Sequence, residues 1–226
     1  MPDENIDLNI IGNIPDSLKG QPFLKERPEA GVFRKDLLSD TFLRDLTMNA
    51  LYYDISNEQI IDNIGGVHDL RYGIINSTCD PNAEFTRRPE NALRVMRFLS
   101  RYDNMKLSDR VAEDLDKNLL SYIKAETPDV LNNEIRKMGY TGHSKRNWDI
   151  MNKYNAWQLI FPPVKDLIGT PAFDAYIAKA LSDSDAGYKK PSPMYKHYFL
   201  MAVLWPAVER DLKSRPFDKA LNKVLE

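Results

Sequence analysis

The stretch from Asp40 to Leu70 constrains the fold of this chain more than any other. It contains two adjacent glycines, Gly65-Gly66, where a backbone without Cβ atoms allows the chain to turn sharply. Upstream, Ser39 and Asp40 are good helix N-caps, and Leu43, Leu46, Thr47 and Ala50 recur at helical spacing. Leu51 to Ile55 then reads as a strand, a short polar turn follows, and Gln59 to Asn63 reads as a second strand. Past the glycines a brief helical piece is expected around Val67 to Leu70, then an apolar run at Gly73 to Ile75.

On either side the pattern changes. Before residue 37, Ile6, Leu8 and Ile10 alternate with Asp7 and Asn9 as in one strand, and Pro15, Pro22 and Pro28 punctuate an irregular lead-in. Asp80-Pro81 marks a turn, and Arg88-Pro89-Glu90 places proline and acid where a helix starts well. From there the chain reads as helical. Leu93, Met96 and Leu99 to Tyr102 form one apolar stripe, and Val111, Leu115, Leu119 and Ile123 form another; Val130, Ile135 and Met138 continue after Pro128. Gly139 and Gly142 bracket a loop ending in the basic run His143-Ser144-Lys145-Arg146. Further helices are expected over Trp148 to Ile160, Ala172 to Leu181, Tyr195 to Leu212 with a bend or break at Pro206, and Phe217 to Leu225; Asp183 to Pro193 reads as a polar loop. The fold class expected is α+β, predominantly α-helical.

The ordered residues Asp40, Arg44-Asp45-Leu46-Thr47-Met48-Asn49-Ala50-Leu51-Tyr52-Tyr53, then Ile61, Asp62, Gly65-Gly66, Asp69-Leu70, Gly73 and Ile75 carry a resemblance. They are similar to the pattern D-x-x-R-R-D-F-T-I-N-A-L-Y-Y, I-x-D-x-x-G-G-x-x-D-L, G-x-I of bacterial poly(A) polymerases and class II CCA-adding enzymes. A looser likeness runs through Arg94-Val95-Met96-Arg97-Phe98, Gly139-Tyr140, Leu159-Ile160-Phe161-Pro162 and Leu200 to Pro206, and it favours the poly(A) polymerases. The resemblance implies a partial nucleotidyltransferase head over residues 1–80, with short strands, and a helical neck and body over 81–226.

Nucleotidyl transfer onto an RNA 3′ end is an in-line displacement at phosphorus, and two divalent metals held by clustered carboxylates stabilise the attacking and leaving oxygens. Relatives place those carboxylates as D-x-D on a strand after a G-G or G-S turn, upstream of the region matched here. The D-x-D spelling occurs in this sequence only at Asp114-Leu115-Asp116, expected on a helix, and Asp183-Ser184-Asp185, expected in a loop. Neither has the strand or the glycine turn, so neither is expected to be catalytic; Asn9, near the family's third carboxylate, is a poor metal ligand. No catalytic or metal residue is therefore expected in this protein alone, with Mg and ATP entering only if a catalytic head is supplied elsewhere.

A second departure lies inside the matched region. Where relatives read E-D-P-x-R-x-x-R, whose acids and first arginine template the incoming base, this sequence reads Arg87-Arg88-Pro89-Glu90-Asn91-Ala92-Leu93-Arg94. Guanidiniums cannot accept the N–H bonds that carboxylates accept, and Asn91 lacks the arginine's charge and fork. The family's paired arginine is also reduced to Leu43-Arg44.

What remains is open to two readings. By resemblance Arg44, Asp45 and Asn49 contact the sugar and triphosphate of an incoming nucleotide; alternatively Asp45 and Asn49 brace the helix-to-strand junction while Arg44 pairs with a nearby acid. Arg87, Arg88, Arg94, Arg97 and Arg101, with Arg71 and Lys145-Arg146, form either a phosphate-contacting edge or a solvated face laced with Glu90, Asp103 and Asp109.

Composition excludes several other classes. The formal net charge is −2, so any attraction to RNA is local. His68, His143 and His197 are scattered without metal spacing, and the single Cys79 makes no internal disulfide, fitting a reducing compartment. No apolar run is long enough to span a membrane, and Met1-Pro2-Asp3-Glu4 lacks the regions of a signal peptide, so the cytoplasm is the expected location. Tyr195, Tyr198, Phe199 and Trp205 lie at helical intervals as core residues do. The expectation is a poly(A) polymerase-like protein, inactive alone and binding RNA or a protein partner. The alternative is a piece of a polynucleotide adenylyltransferase, active when joined to a head carrying the metal carboxylates.

Overall fold

The computed structural model describes residues 10–11, 37–54, 58–188 and 195–214. The expectations for Asn9, the early prolines and Phe217 to Leu225 lie outside the described residues. The described part is α+β and predominantly helical, and it falls into two compact units. One unit takes residues 1–91 and 102–117, the other 92–101 and 118–226.

The first unit is built on three strands, β1 (Ile10–Ile11), β2 (Leu51–Asp54) and β3 (Gln59–Asp62), in the order β1-β3-β2. β2 and β3 pair antiparallel with Leu51 opposite Asp62, and β1 runs parallel to β3. Before β2 the expected single helix is replaced by shorter pieces. A five-residue α1 (Leu37–Thr41) gives way to a turn, Leu46 bridges Ser77, and a 3-10 turn covers Thr47–Asn49. Helical spacing there reflects burial of Leu46 and Ala50 rather than continuous helix.

After the glycines come α2 (Gly66–Arg71) and β4 (Ile74–Ile75), the latter parallel to β5 (Lys106–Leu107). Gly65 has φ +85, the left-handed region that glycine tolerates best. Asp80-Pro81, expected as a turn, instead opens α3 (Pro81–Arg87): the Asp80 carboxylate accepts from Ala83 N at 3.0 Å, and Pro81 occupies the first turn. Phe42, Leu46, Ile75, Phe85, Val111 and Leu115 are buried side chains of this unit.

Helices α4 (Glu90–Arg101) and α5 (Asp109–Ala125) contribute to both units, and α4 begins where Pro89-Glu90 predicts. The rest of the second unit is α6 (Pro128–Gly139), α7 (Ser144–Lys153), α8 (Ala156–Ile160), α9 (Pro171–Gly187) and α10 (Tyr195–Ser214). Asn155, with φ 54, separates α7 from α8 where one helix was expected, and α10 continues through Pro206. The basic run Ser144 to Arg146 is the first turn of α7, not a loop.

An aromatic cluster forms the second core. Trp148 and Trp157 stack with ring centroids 5.0 Å apart, and Phe161 and Phe199 lie 5.5 and 5.7 Å from Trp157. Phe199, read from the sequence as core, is buried, whereas Trp205 on the same helix is exposed. Gly139 ends α6 against Phe199, where a Cβ would meet the ring's Cγ at 2.5 Å.

The start of α7 is held from α9. Asp185 accepts from Ser144 N and Oγ, both at 2.7 Å, and from Lys145 N at 3.0 Å. Asp183, Ser184 and Asp185 are thus helical, correcting the loop expected from residue 183. Replacing Asp185→Ala should cost about 1–2 kcal/mol in urea unfolding, as for loss of a helix cap. Asp183→Ala, which removes only the exposed pair with Lys179 at 3.0 Å, should change stability by less than about 1 kcal/mol. No helix among the described residues is long and apolar enough to cross a membrane.

Candidate functional site

The first unit brings Arg44, Asp45 and Asn49 together beside the 3-10 turn. Asn49 Nδ2 donates to Asp45 Oδ1 at 3.1 Å; Asp45 is buried while Arg44 and Asn49 are exposed. Arg44 donates from Nε and Nη2 to Asp40 Oδ2 at 3.1 and 2.7 Å, and Tyr52 donates its hydroxyl to the same oxygen at 2.6 Å. The guanidinium also lies over the Tyr52 ring, 5.9 Å from its centroid. Asp40 raises the pKa of Arg44, and burial, then the bond to Asp40, raises that of Tyr52. Arg44 therefore stays cationic and is oriented on the protein surface.

Below these residues lies a polar framework that sequence reasoning missed. Thr47 Oγ1 donates to buried Asp69 at 2.7 Å, and Asn76 Nδ2 donates to the same carboxylate oxygen at 3.2 Å. Asn76 Oδ1 in turn accepts from Ser108 Oγ and Arg110 Nε, each at 2.9 Å, while Arg110 Nη2 donates to the Ser77 carbonyl. Thr47 and Asp69 matched the family pattern and were the visible signals; Arg110, 34 residues from Asn76, had none.

Arg87 to Asn91 of the rewritten stretch are also in the first unit. Asn91 is 2% exposed and donates Nδ2 to Glu84 Oε1 at 2.5 Å; Glu84 is itself buried. Arg87 approaches the other Glu84 oxygen at 3.4 Å, and Arg88 approaches Glu90 at 3.9 Å. Glu84 gave no sequence signal, because its partner lies seven residues away across a break between helices.

Arg94, Arg97 and Arg101 belong to the second unit. Arg97 pairs with buried Glu134 of α6 at 3.4 Å, Arg94 is half-buried and Arg101 exposed. Lys145 pairs with Asp149 in α7, and Arg71 is exposed at the end of α2.

One aspartate of each D-x-D spelling is hydrogen-bonded within the protein. Asp114, on α5 as expected, accepts from Asn82 Nδ2 at 3.1 Å, and Asp185 caps α7. Among the described residues no group of three His, Cys, Asp or Glu side chains is placed to hold a metal ion.

The fold resembles that of a nucleotidyltransferase head segment followed by helices. Residues 19–76 match the poly A polymerase head domain. The chain is 25% identical over 188 residues to poly(A) polymerase I of Salmonella typhi, covering 80% of this chain and 40% of that protein. It is 37% identical over 102 residues to the CCA-adding enzyme of Bacillus pumilus, covering 44% of this chain and 25% of that one. The Thermotoga maritima CCA-adding enzyme complexed with tRNA shares the fold with a TM-score of 0.61 and 21% identity, over 76% of this chain and 42% of that one. The head-domain match over residues 19–76 and these relatives make the chain similar to poly(A) polymerases and CCA-adding enzymes. It spans about two fifths of the length of the poly(A) polymerases it matches.

Proposed function

We propose that this chain is a cytoplasmic, RNA-binding member of the family that adds no nucleotides by itself. One observation carries the second half of that reading. The position at which the family pattern has its base-reading arginine holds Asn91, whose amide is committed inside the protein to Glu84 at 2.5 Å. Arg87 and Arg88 stand where the pattern has acids, and a guanidinium offers donors only. An incoming base would thus meet neither the acceptors nor the fork that the pattern supplies.

RNA as the ligand is supported by the shared fold with an enzyme solved with tRNA, and by the exposed cations Arg71, Arg87 and Arg101. A second reading, a segment that works once a head with metal-binding carboxylates is supplied, is favoured by Arg44 and Asn49. Both are exposed beside Asp45, as a nucleotide contact requires.

Two measurements test this. Incubated with magnesium, ATP and an oligoribonucleotide, the pure protein should leave the oligonucleotide unextended; a ladder of added adenylates would overturn the inactive reading. Extension only after adding a separate head domain would establish the second reading. Filter binding of the same oligonucleotide should weaken linearly on a log–log plot as salt rises, by about 0.7 per phosphate contacted. No binding at any salt would leave a protein as the partner.

A further inference from the structure

The second unit contains a pocket that neither the family pattern nor the site above accounts for. Its volume is about 300 Å³, and its lining is Arg97 from α4, Asn133, Arg136, Lys137 and Tyr140 along α6 and its end, and Thr141. That volume is at the lower end of the roughly 300–1,000 Å³ of small-molecule sites.

Its electrostatics are uneven. Glu134, beside Asn133 on α6, is 3% exposed and is shared by two of the lining cations: Lys137 Nζ reaches Oε1 at 2.5 Å and Arg97 Nε lies 3.4 Å from Oε2. One carboxylate thus faces two cations, and Arg136 adds a third from the exposed side of α6. Because Arg97 is paired with Glu134 and its side chain is only 15% exposed, its position is set before any ligand arrives.

The rim is aromatic. Tyr140 is 37% exposed, and Tyr188 packs against it edge-on at 5.6 Å, which limits its rotation. Asn133 and Thr141 provide neutral hydrogen-bonding groups between the cations and the ring. An anion alone would use only the arginines and lysine. An apolar ligand would make no use of the cations.

We infer that this pocket is a subsite for one nucleotide unit of single-stranded RNA, with the phosphate against Arg97, Arg136 and Lys137 and the base on the Tyr140 ring. Cations that follow the backbone next to an aromatic face are the combination by which unpaired strands are held. The inference rests on the RNA-binding reading and gives it a location.

The test uses the full-length protein and a fluorescein-labelled decamer of unpaired adenylates, followed by anisotropy at several salt concentrations, with far-UV circular dichroism to check that each variant folds. Arg136→Glu should weaken binding about tenfold or more and lower the salt slope by at least about 0.7. Tyr140→Leu should weaken it about tenfold, and Tyr140→Phe, which keeps the ring, should restore it. Lys179→Glu on α9, an identical change of charge outside the pocket, should cost less than about twofold in 0.1 M salt. A duplex of the same length, with its bases stacked away, should not respond to Tyr140→Leu.

If the parent binds the decamer and both Arg136→Glu and Tyr140→Leu bind equally well, the subsite is wrong and the RNA-binding reading stands. Failure of the parent to bind any RNA would overturn both. Saturation by adenosine monophosphate that depends on Arg136 but is not displaced by the decamer would make the occupant a free nucleotide and overturn the strand subsite.

Discussion

Trp157→Ala is expected to be among the most destabilising single changes in the second unit, at about 3–5 kcal/mol. The side chain is fully buried, stacks on Trp148 at 5.0 Å and Phe161 at 5.5 Å, and donates Nε1 to the Trp148 carbonyl at 2.9 Å. Truncation removes the apolar burial and the ring contacts and leaves that carbonyl in a dry cavity, so three penalties fall on one site. Urea unfolding followed by circular dichroism should show the midpoint lowered by more than about 1 M. Trp205→Ala, which removes a ring 53% exposed, should stay within about 0.5 kcal/mol of the parent. Equal losses from the two tryptophans would mean that the aromatic cluster is not the core of this unit.

The contrast between those tryptophans shows what the sequence discloses. Periodicity identified α10 but did not separate its buried Phe199 from its exposed Trp205, because both occupy helical intervals and only the packing of α6 and α9 decides between them. Where spacing and burial coincide, as at Val111, Leu115, Leu119 and Ile123 of α5, the expected helix and its buried face are both observed. Where long-range bonds compete with local preference, the local reading fails. Leu46 bridges Ser77 and Thr47 N donates to the Asn76 carbonyl at 3.0 Å, so the backbone is committed to a remote segment and α1 ends early. Asp80-Pro81 fails differently, since Asp followed by Pro is a sound start for both a turn and a helix.

The candidate site was partly legible for the same reason. Arg44 pairs with an acid four residues before it, and Asn49 with an acid four residues before it, both within reach of sequence reasoning. Glu84 with Asn91 and Arg110 with Asn76 are bonds that folding alone creates, and no spacing announces them. The pocket of α4 and α6 belongs to this second class. Arg97 was visible as one of a basic series, but its pairing with Glu134, 37 positions away, turns a surface cation into part of a pocket wall.

The other large effect is expected at Asp62, whose carboxylate is 3% exposed and accepts four backbone N–H groups. Oδ1 takes those of Ile64, Gly65 and Gly66 at 3.2, 2.8 and 2.9 Å, and Oδ2 takes that of Val67 at 2.9 Å. Bonds to a charged acceptor are each worth about 1.5–3 kcal/mol, and donors left buried without one cost further. Asp62→Ala should therefore destabilise the first unit by at least about 3 kcal/mol in urea. Asp62→Asn should cost less, because it keeps one acceptor oxygen while turning an amide donor toward donors. Hydrogen exchange at Gly65, Gly66 and Val67 should quicken in step with the loss of stability. The consequence reaches the candidate nucleotide contacts: Gly66 packs against the Thr47 carbonyl, and Thr47 is tied to Asp69, so the turn that Asp62 fastens also positions the segment bearing Arg44, Asp45 and Asn49. A variant that loosened these amides yet kept parental stability would show that the turn is not the support of that segment.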